Sequence, residues 1–197
     1  MEAFSDAIIA IAITIMVLEL RVPHGTTWGA LQELLPGLFT YVLSFIYLGI
    51  YWNNHHHMLM ATAQVFGPVL WANLHLLFWL SLIPFTTAWM GEHRFAATPV
   101  AVYGLVLLGA SVAYYILQTS IIRVQGPASP LASAIGRDIK GKVSVVLYAT
   151  GVLLTFANRW AALATYVVVA LIWLVPDRRV ERMIAAGQTP RGGAERT

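Results

Sequence analysis

The chain has 197 residues, of which 58% are hydrophobic and only 11% charged, with a formal net charge of +3. Soluble domains run near 25% charged residues, so this balance excludes an ordinary water-soluble domain and indicates an all-α integral membrane protein. The absence of cysteine excludes disulfides, thiolate metal sites and cysteine nucleophiles.

Six membrane spans are expected, each about 20 apolar residues or somewhat fewer. The first covers residues 3–21 and ends at Arg21, Pro23, His24 and Gly25. Glu2 and Asp6 stand where a secretory leader would carry basic residues, so no such leader is expected. On a helical wheel advancing about 100° per residue, Ile11, Thr14, Ile15 and Leu18 share an arc of about 100°, and Asp6 lies about 140° from Ile11. One reading makes this stripe the wall of an ion pore and the acid an anchor to its own subunit. The other leaves the stripe against lipid or a neighbouring helix. At the far end, Glu19 and Arg21 read as a pore mouth or as a simple interfacial ion pair.

The second span begins near Trp28 and runs to Met60, with Leu31 to Pro36 outside the hydrocarbon and Pro36 ending that pre-helix or kinking the span. The third runs from Phe66 to Met90 with a kink expected at Pro84, and the fourth from Pro99 to Ile122. A polar linker from Gln125 to Gly141 follows. A short fifth span, Val143–Ala157, turns at Asn158-Arg159 into a sixth, Trp160–Val175. Residues 1–176 therefore read as one six-helix transmembrane domain and residues 177–197 as a tail, disordered after Gly187. Arg123, Arg137, Lys140 and Lys142 lie in the loop after the fourth span, with Arg178, Arg179, Arg182, Arg191 and Arg196 in the tail. Arg21, Arg94 and Arg159 lie on the opposite side. The positive-inside rule then puts both termini in the cytoplasm of a multi-pass cell-membrane protein. The basic excess is a topology signal, and no nucleic-acid partner is expected.

Topology brings polar residues of three spans to one depth: Ser5 and Asp6 of the first; Trp52, Asn53, Asn54, His55, His56 and His57 of the second; Asn73 and His75 of the third. A network of these groups satisfies polar atoms that lipid cannot, and reads either as a fold lock or as a proton relay. No metal site is expected. Adjacent helical residues point about 100° apart, so a metal would need one histidine of the triplet together with Asp6, His75 or another subunit. No T-V-G-Y-G filter, arginine-repeat voltage sensor, Walker A loop or Ser-His-Asp arrangement is present, so neither a carbonyl-ring filter nor an enzyme is expected.

The segment Glu2-Ala3-Phe4-Ser5-Asp6, followed by Ala10-Ile11, Thr14 and Leu18-Glu19, resembles the signature of the transmembrane protein 175 family. The run Trp52-Asn53-Asn54-His55-His56 is similar to the same family's second-span pattern. The resemblance implies a potassium-permeable channel, a homotetramer of six-span subunits in the bilayer, with potassium as permeant ion and no cofactor. It implies that the first helices surround the pore, that the constricting layer falls on Ile11 with Ile15 and Leu18 further outward, and that a threonine layer falls on Thr14. It also implies that Ser5 and Asp6 tie the first span to polar residues of the second and third. The family signature opens with an Arg four residues before the Phe, a position just ahead of Met1: either the chain starts late or this member lacks the Arg, and in the sequence as it stands Asp6 is expected without that cationic partner. Two other readings stand beside the channel: a proton- or cation-coupled transporter built on Asp6 and the histidines, and a membrane scaffold without flux.

Overall fold

The computed structural model describes residues 1–62, 66–127, 129, 131–132 and 138–174, and all regular structure in them is helical. The helices are α1 (Glu2–Leu18), α2 (Trp28–Gln32), α3 (Leu35–Met60), α4 (Gly67–Ser81), α5 (Ile83–Glu92), α6 (Ala97–Gln125), α7 (Ile139–Leu154) and α8 (Arg159–Leu174). Leu35–Met60, Gly67–Glu92 and Ala97–Gln125 are long and apolar enough to cross a membrane.

The boundaries follow local chemistry. The Thr27 side chain accepts from the amide of Ala30 and starts the single turn of α2. Of the two expected roles of Pro36, the structure has the first: the pre-helix ends at Gln32, four residues before it, and there is no kinked longer span. Pro36 sits in the first turn of α3, where its missing N–H costs nothing, so the single span expected from Trp28 divides into α2 and α3. Pro84 does interrupt the third span: α4 stops at Ser81 and α5 starts at Ile83. Asn158 Oδ1 accepts from the amides of Trp160 and Ala161 and so caps α8. Residues 128, 130 and 133–137 of the expected linker and the whole of the 177–197 tail lie outside the described residues.

α6 packs against α4, α5, α7 and α8, while α1 lies against α3, α4 and α5. Tyr47, Tyr103, Tyr148 and Tyr166 pack together between α3, α6, α7 and α8. A polar link runs beside them: Thr87 Oγ1 donates to Ser44 Oγ at 2.6 Å, and Ser44 Oγ lies 3.0 Å from Tyr103 Oη. Within lipid such hydroxyl contacts join helices that hydrophobicity alone does not order. Gly104 is required where α6 meets this cluster, since a Cβ there would lie 1.9 Å from Tyr166 Oη and 2.9 Å from Val152 Cγ2. Gly104→Ala is expected to lose about 1–3 kcal/mol of stability through overpacking, read as a lower melting temperature of the detergent-solubilised protein.

Candidate functional site: the two faces of the first helix

Almost every side chain of α1 is apolar, yet its two sides meet different surroundings. Ser5, Ile9, Ala12 and Met16 are buried against the protomer, at 0%, 1%, 4% and 2% exposure. Ile11, Ile15 and Leu18 stand at 56%, 41% and 82%, and Thr14 is exposed between them with its hydroxyl donating to the carbonyl of Ile11. The four residues of the wheel stripe therefore form one continuous row left uncovered by their own chain.

The buried side is anchored by a polar chain across three helices. Ser5 Oγ donates to the carbonyl of Met1 and accepts from Asn73 Nδ2 at 2.9 Å. Asn73 Oδ1 lies 2.7 Å from His55 Nε2, which donates to it. Ser5, His55 and Asn73 are all buried, so each bond replaces water that cannot reach the site. Beside this chain, Trp52 Nε1 donates to Asp6 Oδ1 at 3.0 Å. His56 stacks on the Trp52 ring at 5.9 Å between centroids and brings Nδ1 to 2.9 Å from Glu2 Oε1.

Four residues that share this depth do not join the network. Asn54 donates to the carbonyl of Ile50 in its own helix, and among the described residues His57 meets only the His56 ring. His75 is exposed on α4 and accepts from Trp79 Nε1 at 3.0 Å. Asn53 is half-buried and has no side-chain hydrogen bond among the described residues. Glu2 was absent from the residues expected to meet here. The spacing of Glu2 and Asp6, four apart on one helix, was the signal that could have found it.

Beyond Leu18 the chain opens into a cavity of about 410 Å³, lined among others by Glu19, Arg21, Glu33, Glu92 and Arg94. Arg21 does not pair with Glu19. Its guanidinium donates to Glu92 at the end of α5, linking the loop after α1 to the third expected span.

These features define an all-α, multi-pass membrane protein whose first helix is anchored by polar groups on one side and bare on the other. The family model described as the endosomal/lysosomal potassium channel TMEM175 matches residues 1–84. A protein of a Chryseobacterium species, named as a potassium channel, is 50% identical over 184 residues, covering 93% of this chain and 96% of its own length. One from Streptomyces collinus, also named as a potassium channel, is 35% identical over 130 residues, covering 62% of this chain and 63% of its own. The crystal structure of a lysosomal potassium-selective channel TMEM175 homolog from Chamaesiphon minutus superposes with a TM-score of 0.79 at 25% identity, over 89% of this chain and 95% of that one. The chain belongs to the TMEM175 family, whose members are potassium channels and not enzymes.

Proposed function

We propose that this protein conducts potassium across the cell membrane as a homotetramer, with α1 of each copy around a central pore. Six crossings are made by α1, α3, the α4–α5 pair, α6, α7 and α8, with both termini in the cytoplasm. Residues 1–176 form the channel domain and residues 177–197 a cytoplasmic tail. Ile11 forms the narrowest layer, Thr14 offers hydroxyls just beyond it, and Ile15 and Leu18 continue the wall outward. The observation that carries this reading is the bare row itself: a contiguous apolar stripe interrupted by one hydroxyl, on the helix whose opposite face is the most specifically anchored. An apolar constriction of this kind opens or closes by wetting and drying, and a ring of hydroxyls replaces part of an ion's water shell.

A coupled transporter finds less support. The titratable cluster of Glu2, Asp6, His55 and His56 sits at one end of α1, and between Asp6 and Glu19 that helix carries only Thr14 as a polar side chain. Purified protein in potassium-loaded liposomes should show flux that runs down the potassium gradient without a pH gradient. It should also image as a four-fold particle. Flux that requires a proton gradient and disappears in Asp6→Asn would transfer the assignment to the transporter, and a silent oligomer would leave a scaffold.

A further inference from the structure

We propose that Glu2, Asp6 and His56 form a binding site for one divalent transition-metal ion of the zinc class, at the N-terminal end of α1. The donor atoms, one from each side chain, lie within 4.8 Å of one another. Two come from α1 and one from α3, so the ion would tie the stripe-bearing helix to its neighbour. The structure supplies what the histidine triplet alone lacks: one imidazole meeting carboxylates on a second helix.

The surroundings carry an excess of lone pairs. His55 donates through Nε2 to Asn73, which leaves its Nδ1 as an acceptor, and this buried nitrogen has no partner among the described residues. His56 Nδ1 is likewise buried, and its contact with Glu2 lacks hydrogen-bond alignment even though the two atoms are 2.9 Å apart. With its proton on Nε2, His56 turns the Nδ1 lone pair toward the Glu2 carboxylate, and a cation beside the two atoms relieves their repulsion. The misaligned contact suits an ion better than a shared proton. Two donors each about 2.1 Å from one tetrahedral metal lie about 3.4 Å apart, so the His56–Glu2 pair at 2.9 Å has to open by about half an ångström to admit the ion. Imidazole nitrogen with two carboxylate oxygens selects zinc, cobalt or nickel over potassium or calcium.

The side chains are held ready by one indole. Trp52 donates to Asp6 Oδ1 and stacks on the His56 ring at an interplanar angle of 26°, which orients two ligands from a single residue. Glu2, in the first turn of α1, is the ligand whose small movement closes the triangle.

The test is a titration of tag-free, chelator-stripped protein in detergent with Co2+, followed by the visible bands of the bound ion. One Co2+ per chain is expected, displaced by Zn2+. Glu2→Gln and His56→Gln should each weaken it by more than about tenfold, and Trp52→Phe, which keeps the stack and loses the hydrogen bond, by about tenfold. Glu2 is exposed at a helix start, so Glu2→Gln folds even where the other variants fail. The inference is overturned by the absence of bound Co2+ in the unaltered protein, or by equal affinity in Glu2→Gln. Neither result bears on the flux reading, because no flux is measured.

Discussion

Replacing Ile11 with alanine is expected to raise potassium leak through reconstituted protein by about tenfold or more and to reduce the preference for potassium over sodium. A tenfold change in rate corresponds to about 1.4 kcal/mol of barrier. Each substitution removes three carbons from a side chain that stands 56% exposed, and a buried methylene is worth about 0.8 kcal/mol. Repeated around a ring of copies, the lost apolar surface exceeds that barrier change several-fold, so a dry constriction becomes wettable. Thr14 then loses the narrow frame that sets how many hydroxyls an ion meets, and discrimination falls with the barrier. The informative control is Leu171→Ala in α8, since Leu171 is also 56% exposed yet lies outside the proposed pore wall. Flux that rises in Ile11→Ala and not in Leu171→Ala locates the wall on α1. Unchanged flux and selectivity in Ile11→Ala would remove that residue from the constriction, and a parallel effect at Leu18 would move the narrow layer outward.

Much of the geometry behind this expectation was legible in the chain, because periodicity fixes azimuth as well as element type. The stripe of Ile11, Thr14, Ile15 and Leu18 is the exposed row, and the division at Pro84 is where α4 gives way to α5. His75 shows how the sequence reading overreached. Depth places His75 beside Asn73, but residues two apart on a helix point about 200° apart. Once Asn73 turns inward to Ser5 and His55, His75 must face out, and Trp79 one turn along takes its ring nitrogen. The Arg21–Glu92 pair was not legible, because it depends on where α5 ends relative to the loop after α1, seventy-one residues away in sequence. Glu19, two positions from Arg21, was the local candidate, and tertiary placement overrode it.

Asn73→Ala is expected to be the most damaging substitution in the polar anchor, lowering stability by about 2–4 kcal/mol. It removes the acceptor of the His55 N–H and the donor to Ser5 Oγ at once; His55 is left without a partner, at a cost of about 1–3 kcal/mol, and Ser5 keeps only its bond to Met1. His75→Ala, at an exposed site on the same helix, should stay within about 0.5 kcal/mol. Melting curves of the two solubilised variants make the comparison, and equal losses would show that the Ser5–Asn73–His55 chain contributes nothing particular. The consequence reaches beyond stability. Ile9, Ala12 and Met16 on one side of α1 are about as apolar as Ile11, Ile15 and Leu18 on the other, so burial of hydrophobic surface does not choose which side faces the protomer. The hydroxyl of Ser5 does, because only one rotation of α1 brings it to Asn73. A variant without that bond keeps its apolar contacts and sets the helix about its own axis only through Trp52–Asp6 and His56–Glu2, at the half-exposed end of the anchor. Asn73→Ala protein that still assembles should therefore show altered flux and selectivity, although Asn73 is buried on the side of α1 away from Ile11.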